Sequence, residues 1–187
     1  DVMKTDIKAL VEEKFAGMRP VVCANLPYNI TSPVITAFLE SGCFDTITVM
    51  IQKEVAKRMN ARPGTADYGA FTLLVQWYCD TEILFDVSPN CFMPAPKVTS
   101  SVIQLRRRSE PLCEVQDEQL MFRAIRAAFN QRRKTLRNSL KPLIRAKADR
   151  EGWSEDQLAE FTAQPVFELR PERLSVEDFI ELTLKLA

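Results

Sequence analysis

The stretch Pro20-Val-Val-Cys-Ala-Asn-Leu-Pro-Tyr-Asn-Ile-Thr-Ser-Pro33 decides how the chain is read. Residues 20–24 are nearly all apolar, as expected of a parallel strand covered on both faces. A turn follows at once. Ser32 then has the chemistry of a helix N-cap, Pro33 suits the first helical position, and Val34, Ile35, Phe38 and Leu39 recur at helical spacing up to a stop at Gly42. Strand, turn and helix in this order make one α/β unit, with the turn at the carboxyl end of the strand, where open α/β sheets bind their ligands.

Downstream, the β-branched run at residues 46–51 predicts a second strand, followed by a polar helix from about Lys53 to Asn60. Arg62-Pro-Gly-Thr65 is a loop, residues 70–78 fit either helix or strand, and residues 82–88 and 98–105 read as strands that pair as an antiparallel edge. Between these two strands Pro89, Pro94 and Pro96 fix an extended loop that holds Phe92, a position a buried core Phe fits too. Ser109-Glu110-Pro111 reads as a linker, and the chain beyond it favours helix. Asp117 caps a helix with the apolar stripe Leu120, Ile125, Ala128 and Phe129. Thr135 to Ala148 is a basic helix kinked or interrupted at Pro142. Ser175 and Asp178 open a last helix carrying Phe179, Ile180, Leu182, Leu184 and Leu186. The expected architecture is an α/β domain over residues 1–108 and a small all-α domain over 109–187.

Composition bounds the chemistry. With 46% hydrophobic and 27% charged residues over 187 positions, the chain has an ordinary globular make-up and holds no run near the roughly 20 apolar residues of a membrane span. No histidine is present, which removes Ser/His and Cys/His nucleophilic pairs and the commonest metal ligand. Five cysteines without a CxxC spacing predict reduced thiols in a cytoplasmic setting and neither a disulfide framework nor a metal site. The sequence opens on Asp1 without a signal-peptide pattern and reads as an internal fragment; its five glycines form no nucleotide cradle, so a nucleotide-like cofactor would need residues upstream.

The net charge of zero conceals segregation. Residues 106–150 carry 13 basic and 5 acidic residues, a footprint that suits a phosphate backbone and equally a solvated helix face. If residues 132–145 are helical, Arg133, Arg137 and Lys141 recur every four residues, with Arg126 before them and Arg145 after on a similar face. Arg132, Arg133 and Lys134 could instead brace the domain boundary.

The chemistry concentrates in Asn25-Leu26-Pro27-Tyr28. An exocyclic aromatic amine is a poor nucleophile because its lone pair is delocalised into the ring, and hydrogen-bond acceptors can draw that nitrogen toward tetrahedral geometry. The Asn25 side-chain oxygen and the carbonyl of Leu26 or Pro27 are such acceptors, and Tyr28 can stack on an extruded base. A purely structural reading has Asn25 cap the turn, Pro27 stiffen it and Tyr28 pack on the sheet.

Six segments bear on that choice: Asn25-Leu-Pro-Tyr-Asn-Ile-Thr-Ser-Pro33, Met50-Ile-Gln-Lys-Glu-Val-Ala-Lys-Arg58, Tyr68-Gly-Ala-Phe-Thr-Leu-Leu-Val-Gln76, Phe92-Met-Pro-Ala-Pro-Lys-Val98, Arg132-Arg-Lys-Thr-Leu-Arg-Asn-Ser-Leu140 and Arg170-Pro-Glu-Arg-Leu-Ser175. In order and spacing the chain resembles the ribosomal RNA adenine N6,N6-dimethyltransferases that use S-adenosylmethionine. The resemblance implies the carboxyl-terminal half of a Rossmann-like methyltransferase sheet followed by a helical RNA-binding domain. It implies a target-amine site at Asn25, Leu26, Pro27 and Tyr28, with Phe92 as the second wall around the adenine. Asn25 and Asp1 become cofactor contacts, while the glycine-rich loop and the ribose-holding acid would precede residue 1, so the fragment alone is expected to be inactive. Lys97, Arg126, Arg132, Arg133, Lys134, Arg137, Lys141 and Arg145 become RNA contacts, the partner a small-subunit ribosomal RNA or pre-ribosomal small subunit, and the protein a metal-free monomer. A large-subunit methyltransferase of the macrolide-resistance type, or a non-catalytic RNA-binding or ribosome-assembly module, is the competing expectation.

Overall fold

The first strand, β1 (Val21–Asn25), runs parallel to β2 (Thr46–Gln52) with Asn25 opposite Met50, and β2 pairs antiparallel with β4 (Ser100–Arg107), which pairs antiparallel with β3 (Cys79–Val87). The sheet order is therefore β1-β2-β4-β3. These relations come from a computed structural model that describes residues 1–109 and 117–187. The expected antiparallel pair is present, each strand displaced by about two residues from its predicted span. Of the predicted linker only Ser109 is described; Glu110, Pro111 and Cys113 lie outside the described residues.

Helices α1 (Ile7–Lys14), α2 (Thr31–Ser41) and α3 (Lys53–Met59) alternate with the first strands, and α4 (Ala70–Tyr78) resolves residues 70–78 as helix. Every second residue of β2 is buried, and Ile47, Val49 and Ile51 meet Ile103 and Leu105 of β4 in a core that Ile35 and Leu39 of α2 join. Two local expectations fail. β1 is not covered on both faces: Val21 is 64% exposed, and Cys23 and Asn25 on the same face are exposed too, so alternate residues of the strand have nothing packed over them among the described residues. Ser32 is not an N-cap: a 3-10 turn at Tyr28–Ile30 leads straight into α2, so Ser32 already stands in the helix. The helix ends as expected at Gly42, whose φ of 71° supplies the left-handed cap.

The described residues fall into two compact units. One holds residues 1–61 with 74–109; the other holds residues 62–73 with 117–187, so a segment that precedes the predicted 108/109 boundary groups with the helices. In this second unit Asp117 caps α5 (Glu118–Asn130) by accepting from Leu120 N at 2.7 Å, and Leu120, Met121, Ala124, Ile125 and Ala128 are its buried stripe. Thr135 to Ala148 is interrupted rather than continuous: α6 (Leu136–Ser139) stops, and α7 (Lys141–Glu151) restarts with Pro142 in its first turn, where a missing N–H leaves no gap in the ladder. Next come α8 (Glu155–Thr162) and α9 (Val176–Leu186), the latter opened by the reciprocal Ser175–Asp178 capping box. Leu184 falls off the buried face of α9 at 52% exposure. The segment 62–73 is tied in by Gly64 N donating to Glu172 O (2.6 Å) and by the buried Tyr68, whose hydroxyl donates to Leu174 O (2.8 Å) and whose ring meets Phe129.

Candidate active site

Asn25 ends β1 with its side chain exposed, and the next residue turns inward: Leu26 is 7% exposed and its N–H donates to Met50 O at 3.1 Å. That bond extends the strand pairing by one step, and Pro27 then ends it because it has no N–H to give. The Pro27 carbonyl accepts from Ile30 N at 3.2 Å and from Thr31 Oγ1 at 3.1 Å, which stitches the turn to the start of α2. The carbonyl of Leu26 accepts no hydrogen bond among the described residues, nor does the side chain of Asn25 make one. Of the two backbone acceptors left open by the sequence, Leu26 is therefore the one available to a ligand.

Tyr28 is half-buried, and its hydroxyl shares a 2.7 Å hydrogen bond with Ser100 Oγ, fully buried at the start of β4. Phe92 arrives from the other side on the proline-rich loop, which a Ser88-capped 3-10 turn at Pro89–Cys91 shapes; Phe92 N donates to Pro89 O at 3.1 Å. Asn25, Leu26, Pro27, Tyr28 and Phe92 line one open cleft of about 310 Å³ with Pro94 and Pro96. The cleft has hydrogen-bond acceptors on one flank and aromatic rings at Tyr28 and Phe92. Pro94 and Pro96, read in the sequence only as fixing the loop, also line the cleft, and Ser100, which the sequence reading missed, supports it through Tyr28.

On the neighbouring residue of β4, Ser101 donates to Asp86 Oδ1 at 2.6 Å, and Lys53 pairs with the other oxygen of the same carboxylate. Hydrogen bonds from Lys53 and Ser101 hold the Asp86 carboxyl below its ordinary range. Burial instead pushes the Cys79 thiol up, to about 11, and keeps it protonated.

The remaining predicted residues distribute less simply. Asp1 is exposed, caps its own 3-10 turn by accepting from Met3 N at 3.1 Å, and is not among the cleft-lining residues; neither is the exposed Lys97. In the helical unit Arg132 donates to the carbonyls of Ala66 (2.9 Å) and Thr65 (3.1 Å), and Arg137 donates to Thr162 O and pairs with Glu168. Arg126, Arg133, Lys134, Lys141 and Arg145 are exposed. Arg133 lies in a turn and α6 and α7 are separate, so the continuous helical stripe expected over 132–145 does not exist. Arg132, Arg133 and Lys134 line a surface cavity of about 310 Å³ together with Phe129, Asn130 and Gln131. Among the described residues no cluster of three or more His, Cys, Asp or Glu could hold a metal ion, and no helix is long and apolar enough to cross a membrane.

An α/β sheet with an Asn-Leu-Pro-Tyr turn at a strand's carboxyl end, flanked by aromatic rings, defines a Rossmann-like methyltransferase. The chain belongs to the ribosomal RNA adenine dimethylase family, whose model matches residues 1–162. It is 46% identical over 184 residues to ribosomal RNA small subunit methyltransferase A of Clostridium botulinum (strain Loch Maree / Type A3), covering 98% of this chain and 64% of that protein. The same named protein of Lachnoclostridium phytofermentans is 46% identical over 183 residues, covering 97% and 62%. The chain thus spans somewhat under two thirds of the length of these relatives. Among solved structures, a dimethyladenosine transferase from Plasmodium falciparum superposes with a TM-score of 0.69 at 25% identity, covering 92% of this chain and 68% of that one. The 23S rRNA methyltransferase ErmE gives 0.53 at 25% identity, covering 93% and 76%.

Proposed function

We propose that the protein to which these residues belong transfers methyl groups from S-adenosylmethionine to N6 of adenines in small-subunit ribosomal RNA, acting in the cytoplasm as a monomer on the RNA or on a pre-ribosomal small subunit. The observation that carries this reading is the pair of unengaged acceptors, the Asn25 amide oxygen and the Leu26 carbonyl, in one cleft with the rings of Tyr28 and Phe92. An adenine presents two amine hydrogens and a flat π face, and the cleft offers a partner for each.

When bound, S-adenosylmethionine supplies an electrophilic methyl group. Of the two residues assigned to it, the Asn25 amide, exposed at the end of β1 and lining the cleft, would meet its methionine part; the Asp1 carboxylate, outside the cleft lining and engaged with Met3 N, would take its adenine amine only on leaving that cap. Asn25 and Leu26 accept from the target amine and orient its lone pair; Tyr28 and Phe92 clamp the ring, and Ser100 fixes the phenol. In the helical unit Arg126, Arg133, Lys134, Lys141 and Arg145 hold the RNA backbone, with Lys97 contributing from the sheet unit. Arg132 and Arg137 act there chiefly by bracing the fold. The small-subunit reading is favoured over the large-subunit alternative by the identity to the clostridial proteins and the higher TM-score of the dimethyladenosine transferase.

The test is methylation of protein-free small-subunit and large-subunit RNA by the full-length protein with labelled S-adenosylmethionine. N6,N6-dimethyladenosine in digests of the small-subunit RNA is the expected product. Label confined to large-subunit RNA would establish the competing specificity, and RNA binding without label in either would establish a non-catalytic binder.

A further inference from the structure

The break at Leu140 does more than end a stripe. It brings Arg137 and Asn138 of α6, Lys141, Ile144 and Arg145 of α7, and Leu158 of α8 around one cavity of about 200 Å³ inside the helical unit. The floor is apolar: Ile144 is 2% exposed and Leu158 half-buried. The Arg137 guanidinium is fixed by Thr162 O and Glu168. Asn138 Nδ2 donates to Thr135 Oγ1 at 3.0 Å, which leaves its side-chain carbonyl as an acceptor. Lys141 and Arg145, one turn apart, have no carboxylate partner among the described residues.

Size and chemistry together select the occupant. The volume lies below the roughly 300–1,000 Å³ of whole small-molecule sites and suits a single ring system rather than a dinucleotide-sized cofactor. A flat apolar ring on the floor, a polar edge toward Asn138 and a negative charge between two free cations describe one nucleotide. The surplus of positive charge over residues 106–150 favours a nucleic acid over an acidic peptide as its source. We infer that this cavity receives one unstacked nucleotide of the bound RNA, its base on the Ile144–Leu158 floor and its phosphate between Lys141 and Arg145. The inference rests on the RNA-binding reading above and adds a second base contact, separate from the cleft at Asn25.

Two RNA hairpins, one fully paired and one with a single bulged 2-aminopurine, are titrated with the full-length protein. The bulged RNA should bind about tenfold more tightly, near the lower end of what one bound base contributes. Its fluorescence should rise as the base leaves the stack for an aliphatic floor. Leu158→Phe, which fills the cavity, should abolish both differences while leaving affinity for the paired hairpin unchanged. Lys141→Gln with Arg145→Gln, both at exposed positions, should also abolish them with an unaltered melting temperature. Equal affinity for the two hairpins, or a fluorescence rise that survives Leu158→Phe, overturns the inference and leaves general RNA binding standing; binding of neither hairpin overturns both. Ile144 and Leu158 methyl resonances that respond to hexaglutamate but not to uridine 5′-monophosphate would assign the cavity to a protein partner and overturn it too.

Discussion

The Asn25–Tyr28 turn and the Arg132–Arg145 segment look equally functional in the sequence, and they fold in opposite ways. The turn leaves two polar groups without a partner among the described residues, the Asn25 side chain and the Leu26 carbonyl, while the Pro27 carbonyl closes the local hydrogen bonds and the Tyr28 hydroxyl meets Ser100. In the basic segment Arg132 and Arg137 are bound to carbonyls and a carboxylate of their own unit, the exposed Arg133 and Lys134 stand between them, and the exposed Lys141 and Arg145 follow. The difference teaches that a polar group signals a ligand when the fold around it supplies it with no partner of its own. A charge cluster without that accounting mixes structural and binding roles.

The comparison is broken most decisively at Asn25. In the full-length protein Asn25→Ala should lower single-turnover methylation by about a hundredfold or more, the scale of one lost positioned group at a reacting centre, with RNA affinity unchanged. Near-normal turnover would reduce the turn to a structural cap. In the basic segment, Arg133→Gln with Lys134→Gln should lower the slope of log affinity against log salt by about one to two, with no change in melting temperature. Arg137→Gln should do the reverse: a melting temperature lower by a few degrees, from about 1–3 kcal/mol of lost charged hydrogen bonds at a half-exposed site, and a salt slope little altered. If the two variants behave alike, the division of roles within the segment fails. Tyr28→Phe keeps the ring but strands the buried Ser100 hydroxyl, so stability should fall by about 1 kcal/mol in denaturant melts while methylation drops only severalfold.

The smallest effect is one of acidity. The Asp86 carboxyl is held below its unfolded value by Lys53 and Ser101, so its contribution is present above the unfolded carboxylate range and is lost as pH falls through the depressed folded value. Asp86→Asn should flatten the acid limb of a stability-against-pH curve by lowering stability slightly at neutral pH while leaving it little changed at the acid end, measured by urea melts from neutral to acid conditions.

Much of the cleft was legible because it is contiguous: four residues of one turn and one aromatic between prolines need no knowledge of packing. Ser100 was not legible, since its partner Tyr28 lies 72 positions away and only strand order brings them together. Ser32 and Pro33 matched a capping pattern, but a 3-10 turn upstream had already begun the winding. Residues 70–78, apolar at both periods, resolved as helix only in the fold. Pro142 announced an interruption, yet the side chains that the interruption gathers come from α8 as well, which no local pattern encodes.

The tie between Tyr68 and Leu174 has a consequence for how the chain is made. During synthesis residues 62–73 leave the ribosome about a hundred positions ahead of the carbonyl that Tyr68 holds. Closing that loop costs about 4 kcal/mol in chain entropy, so this tie adds a long-range step to a unit made of helices, whose contacts are usually local and quick to form. Tyr68, fully buried in the finished fold, must wait exposed on the nascent chain until the last elements emerge. A chain split at the apparent boundary near residue 109 would release a helical piece lacking the ring that meets Phe129 and the hydroxyl that satisfies Leu174. Adding back a peptide spanning residues 62–73 should restore that piece's cooperativity in trans.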